Sequence, residues 1–115
     1  MVREEEASGP PDKVSIFRLS GYLDAAGALK LEDQTQWRLG KQPKNVLLDL
    51  DEIPYICSVG IGVLIGILNK VKSRGGRVAV VHLQPDVSKI LKLVGFLKMA
   101  KAYESEPEAL IALGS

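Results

Sequence analysis

The sequence predicts a single α/β domain with a mostly parallel sheet of four to five strands packed with about four helices. Three observations carry this. Segments rich in β-branched residues alternate with segments of helical spacing, which is the signature of βαβ units with right-handed crossovers. Turn and cap residues sit between them at the right places. The length, 115 residues, suits one domain with one modest core.

Each element has its own justification. Met1–Asp12 begins with acids and then reads Ser8-Gly9-Pro10-Pro11. Like charges and a double proline predict a flexible tail, with the domain proper running from 13 to 115. Val14–Ser20 (VSIFRLS) reads as a strand. Asp24 is placed to cap a helix over Ala25–Leu39, with Gly40 as its stop. Asn45–Leu50 (NVLLDL) is a short apolar strand, and a second helix follows over Ser58–Ser73, ended by Gly75-Gly76. Arg77–Leu83 (RVAVVHL) is the most strand-like segment. Gln84-Pro85-Asp86 opens a third helix with Val87, Ile90, Leu91 and Val94 at helical spacing, stopping at Gly95. Met99–Tyr103 fits a last short strand. Pro107–Leu113 fits a final helix, with Ser105 as its cap and Pro107 in the first turn.

Composition removes several function classes. Apolar residues make up 46% and charged residues 25%, with 15 basic and 14 acidic side chains for a net charge of +1. That balance gives no electrostatic reason to expect nucleic acid or an anionic membrane surface, and no membrane insertion is expected. The longest uncharged run, Tyr55–Leu68, is roughly 14 residues, short of the ~18 of a spanning helix. One cysteine, Cys57, excludes an internal disulfide and suits a reducing, cytoplasmic setting. The amino terminus lacks the basic and apolar regions of a signal peptide.

Catalytic chemistry has little support. The lone His82 lies in a valine-rich strand, where a packed strand residue is expected. No His, Cys and carboxylate set has metal-ligand spacing, and no phosphate loop is present. No cofactor, metal or catalytic residue is assigned, and the chain is read as a non-enzyme.

The informative stretch is Tyr55–Gly66. Ser58 sits where a loop becomes a helix, the position of an N-cap whose hydroxyl accepts a first-turn N–H. The helix beyond it carries a core stripe of Ile61, Leu64, Ile65, Leu68 and Val71. A second stripe is small or polar: Ser58, Gly62, Gly66, Asn69 and Ser73. Glycine inside a helix costs roughly 1 kcal/mol relative to alanine. Two on one face call for a close approach, either by the protein's own neighbouring helix or by a partner. Val59, Val63 and Ile67 lie between the stripes, more apolar surface than one sheet requires, which fits a partner-binding face. Phosphate on Ser58 would add about −1.5 to −2 charges at a helix N-terminus. The fold tolerates an anion there; a docked apolar or acidic partner does not. Cys57 is either a small buried hydrophobe or a thiol near a helix N-terminus. Lys70, Lys72, Arg74 and Arg77 read as a solvated edge.

These residues resemble the STAS-domain family, in particular the bacterial anti-sigma factor antagonists. Gly21-Tyr-Leu-Asp24 is similar to the family's Gly-x-Leu-Asp. Asn45–Leu50 followed by Ile56-Cys-Ser-Val-Gly-Ile-Gly-Val-Leu64 is similar to a strand followed by Met-Asp-Ser-Ser-Gly-Leu-Gly-Val-Leu. Gly75-Gly76, a valine-rich strand and Pro85–Phe96 complete the likeness, which runs from Val14 to Leu113. It implies binding to an anti-sigma factor that is also a serine kinase of histidine-kinase-like ATPase fold. That kinase phosphorylates one serine of the antagonist, and a metal-dependent serine phosphatase restores it. The matching serine is Ser58, and Asp24 matches the family acid near it. The implied partner-binding set is Asp24, Cys57, Ser58, Val59, Gly60, Gly62, Val63 and Gly66, on a monomer or weak dimer. Cys57 stands where the family has Asp, and Val59 where it has a second Ser. Two other readings stand beside this one: a STAS subunit of a stressosome-like scaffold or lipid-transport ABC complex, and a small thiol enzyme at Cys57.

Overall fold

A computed structural model describes residues 2–6, 14–21, 24–40 and 45–114. Five strands form one sheet in the order β1-β2-β3-β4-β5: β1 Val2–Glu6, β2 Val14–Ser20, β3 Asn45–Glu52, β4 Val78–Val81 and β5 Lys101–Tyr103. Strands β2 to β5 are parallel, in register through Phe17↔Leu48, Leu48↔Val80 and Val80↔Ala102. Sequential parallel neighbours need crossover helices. These are α1 Ala25–Leu39 after β2, α2 Ser58–Lys72 after β3, and α3 Pro85–Leu93 with the short α4 Phe96–Met99 after β4. A last helix, α5 Glu106–Gly114, follows β5.

The pleat splits the core in two. Phe17, Leu19, Val46, Leu48, Leu50, Val78 and Val80 point to one face, where they meet Leu31 of α1, Leu64 and Leu68 of α2, Leu91 of α3 and Phe96 of α4. Val14, Ile16, Leu47, Ala79 and Val81 point to the other, where Ala109 and Leu113 of α5 cover them. Strand β3 is buried on both sides from Asn45 to Leu50, which explains why Val46, Leu47, Leu48 and Leu50 serve both faces.

The predicted strands and helices are present with small changes of boundary. Asp24 caps α1, its Oδ1 accepting the Gly27 N–H at 2.8 Å. Pro85 starts α3, and Gly95, at φ 80°, turns the chain into α4. The Ser105 hydroxyl accepts the Glu108 N–H at 3.3 Å. Tyr22 and Leu23 of the Gly-x-Leu-Asp segment lie outside the described residues.

Two expectations are corrected. Val2–Glu6 is not a loose tail but an edge strand, antiparallel to β2 with Glu4 opposite Phe17. An edge strand bonds on one side only, so a charged sequence suits it; the rest of the expected tail, from residue 7 onward, lies outside the described residues. His82 is not packed within a strand. β4 ends at Val81, and His82 takes a left-handed backbone, φ 59°, a conformation uncommon outside glycine. No helix among the described residues is long and apolar enough to cross a membrane.

Candidate functional site

Helix α2 begins where β3 ends. Strands β2 and β3 finish side by side, with Ser20 opposite Glu52 and the Gly21 N–H donating to the Glu52 carbonyl at 3.2 Å. The chain leaves β2 through Asp24 into α1 and leaves β3 through Cys57 into α2. Both helix N-termini therefore stand at the same end of the sheet.

Ser58 is not the N-cap. That position belongs to Cys57, which has extended backbone angles and makes no side-chain cap bond. Its carbonyl takes the Ile61 N–H at 3.0 Å, closing the first turn. Ser58 is therefore the first residue of the helix proper, and its side chain is exposed. The cap reading of Ser58 falls because the helix starts one residue earlier than a Ser58 cap requires. The first-turn amides receive no side-chain acceptor and no acidic residue in that turn. They add their partial positive charge to the helix dipole beside the Ser58 hydroxyl.

The buried side of α2 consists of Gly60, Val63, Leu64, Ile67, Leu68 and Val71. This corrects the partner-binding set: Gly60 and Val63 face the protein's own core, Val63 within the cluster beneath the helix. Ile65 is exposed and Ile61 only partly buried. A helix apolar on more than one face has no unique rotation in its sequence, and the structure turns it so that the β-branched Val63 and Ile67 meet the sheet.

The outward side carries Ser58, Val59, Gly62, Ile65 and Asn69, with Gly66 at its half-buried border. A β-carbon placed on Gly62 or Gly66 would meet nothing within 4 Å. Neither glycine is required by packing inside this molecule. Cys57 is a half-buried free thiol, and no base bonds to it among the described residues. Asp24, Cys57, Ser58, Val59, Gly62 and Gly66 thus belong to two helix beginnings and one exposed helix face.

A second polar centre, which no sequence pattern marks, lies on the opposite face of the sheet. Asp49 of β3 accepts from Arg18 of β2 through Oδ2 at 2.6 Å. Its Oδ1 accepts the Asp51 N–H at 3.0 Å and stands 3.1 Å from Nδ1 of His82. Arg18 also reaches Glu106 of α5 at 2.8 Å. Burial pushes the Asp49 carboxyl up, but the Asp51 amide, His82 and Arg18 outweigh it and hold the group below the usual carboxylate range. A polar cavity of about 340 Å³, lined by Arg18, Leu19, Asp49, Asp51 and Glu52, opens beside it. The partners come from two strands, the turn after β4 and a helix, so no local pattern announces them. The cluster holds no nucleophile, and among the described residues no group of three or more His, Cys and carboxylate side chains is placed to hold a metal.

Comparison with known proteins agrees with this architecture. A model of the STAS domain matches residues 9–109. An anti-sigma F factor antagonist of Paenibacillus polymyxa is 31% identical over 104 residues, covering 87% of this chain and 86% of that protein. The crystal structure of an anti-sigma factor antagonist from Mycobacterium paratuberculosis aligns with a TM-score of 0.83 at 24% identity, over 100% of this chain and 96% of that one. The Bacillus cell fate determinant SpoIIAA in its phosphorylated form aligns with a TM-score of 0.68 at 15% identity, over 96% of this chain and 98% of that one. At those identities the two solved structures speak for the fold. The family model spans most of the sequence and the Paenibacillus relative covers nearly the same stretch, so this chain belongs to the STAS domain family.

Proposed function

We propose that this protein is an anti-sigma factor antagonist: a binding module that engages an anti-sigma factor through the outward face of α2 and is switched off by phosphorylation of Ser58. The observation that carries the reading is the combination at α2. An exposed serine opens the helix, and beside it runs a face with two glycines that internal packing does not need. Val59 and Ile65 supply exposed apolar contact on that face. The glycines let a partner's backbone come close. The name of the Paenibacillus relative supports the partner class, and the phosphorylated Bacillus structure supports a fold that accepts the modification.

The physical logic is a difference between free and bound states. In the free protein a phosphate at Ser58 faces uncapped first-turn amides and a favourable dipole. In the complex the same dianion has to be desolvated against the partner, which costs affinity. Phosphorylation then releases the partner without unfolding the domain. The partner is an anti-sigma factor with serine-kinase activity and a histidine-kinase-like ATPase fold, a serine phosphatase reverses the mark, and the exchange takes place in the cytoplasm.

The test uses lysate of the protein's own host. The tagged chain should retain a small ATPase, and adding ATP to the washed complex should place phosphate on Ser58, mapped by peptide mass spectrometry. Ser58→Ala should retain the ATPase and gain no phosphate. Retention of transporter or large scaffold subunits instead, with no phosphate at Ser58, contradicts the proposal.

A further inference from the structure

A net charge of +1 conceals an uneven distribution. Between Lys70 and Lys101 the chain carries eight Lys and Arg residues and one acid, Asp86. This half of the basic complement lies between the end of α2 and the start of β5.

The α3–α4 turn concentrates it. Lys92, Leu93, Val94, Lys98 and Met99 fall within eight residues and are all exposed. Leu93 is 78% exposed, Val94 50% and Met99 49%. This is not a slack loop. The Gly95 N–H donates to the Lys92 carbonyl and the Lys98 N–H to the Gly95 carbonyl, each at 3.2 Å. Leu91 and Phe96, either side of the turn, are buried in the core. Two apolar side chains are thus held outward by a fixed turn with lysines around them. Met99 also borders a groove of about 280 Å³ whose lining includes Lys72, Arg77 and Lys101. Among the described residues, Lys72, Lys92 and Lys98 form no ion pair.

We propose that the α3–α4 turn is a peripheral docking site for an anionic lipid surface. The charge favours a negative partner, and the protruding Leu93 and Val94 favour one with an apolar interior. An anionic bilayer offers both, with lysines at the headgroups and the two apolar tips at the acyl boundary. A flat acidic protein surface would answer the lysines but leave Leu93 and Val94 in water. A leucine exposed to 78% stands out from the surface, a shape suited to entering a soft layer. Helix α2, 15 residues and about 22 Å long, separates Lys72 from Ser58. Docking at one pole therefore leaves the Ser58 face free, and the proposal does not depend on the role given to that face.

The experiment is co-sedimentation of the full chain with phosphatidylcholine vesicles and with vesicles containing about 30% phosphatidylglycerol. The wild type should sediment with the anionic vesicles and not the neutral ones, and about 0.5 M salt should release it. Lys92→Glu with Lys98→Glu should lower binding about tenfold or more, and Leu93→Ser with Val94→Ser several-fold. These side chains are exposed, so the variants should melt as the wild type does, which circular dichroism checks. No sedimentation with anionic vesicles, or unchanged binding by both double variants, overturns the proposal. So does a wild type that ignores vesicles and is retained on polyglutamate resin, which would assign the patch to an acidic protein.

Discussion

At Ser58 a displacement of one position changes the meaning of a residue. As an N-cap its hydroxyl would be occupied with a first-turn amide; as the first helical residue it is exposed and uncommitted. Gly62 and Gly66 complete the picture, because open space surrounds the β-carbon each one lacks. Gly62→Ala should therefore raise stability by about 0.5–1 kcal/mol, since it removes the glycine cost within a helix. The same change should weaken partner binding by crowding the approach. Denaturant midpoint and affinity, measured on the same variant, should move in opposite directions. A variant that loses both stability and affinity would mean that the glycine serves the fold. Asp24 allows a similar separation. Asp24→Ala should cost about 1 kcal/mol through loss of the α1 cap, whereas Asp24→Asn keeps the cap and removes the charge. If the Asp24 charge serves the site, Asp24→Asn should lower affinity at nearly unchanged melting temperature.

Among the elements, α5 is fastened at both ends. At its start Glu106 pairs with Arg18, which also pairs with Asp49. At its end the Leu113 carbonyl accepts from Asn45 at 2.9 Å and from Arg77 at 3.1 Å, while Asn45 in turn accepts the Arg77 backbone N–H at 2.9 Å. Asp49 also serves a local irregularity. The β2–β3 register slips between Arg18 and Ser20, and Asp49 receives the Asp51 amide at that point. A carboxyl held below the ordinary carboxylate range in the fold stabilises the native state at pH values above that range. The contribution is present at neutral pH and is lost as pH falls through the lowered native value. Asp49→Asn should accordingly melt earlier than wild type at pH 7, and the gap should narrow steadily below about pH 4. Thermal melts at stepped pH give the comparison; a constant gap across that range would show that the Asp49 charge contributes nothing.

For the whole molecule, what the sequence made legible follows from which interactions are local. Helix α1 is readable from Asp24, β3 from its apolar Val46, Leu47, Leu48 and Leu50, and the α3 stop from Gly95, because each signal lies in or beside the element it marks. The parallel order of β2 to β5 follows from the alternation of strands and helices. β1 was not legible, since a charged edge strand has no inward apolar row to announce it. The breadth of apolar residues hides the rotation of α2, so the sequence does not show that Gly60 and Val63 lie on its buried side. The Arg18–Asp49–His82–Glu106 centre joins residues as far apart as 88 positions, and only the folded chain brings them together.

The central claim is that charge at Ser58 governs partner binding without governing the fold. Its most direct test is titration calorimetry of the anti-sigma partner, recovered by the wild type, against wild type, Ser58→Ala and Ser58→Asp. Ser58→Ala should bind as wild type does. Ser58→Asp should bind at least tenfold more weakly, about 1.4 kcal/mol, while its melting temperature holds or rises, because an acid in the first turn favours the helix. Equal affinity for all three, or an affinity loss in Ser58→Asp that merely tracks a loss of stability, would contradict the claim.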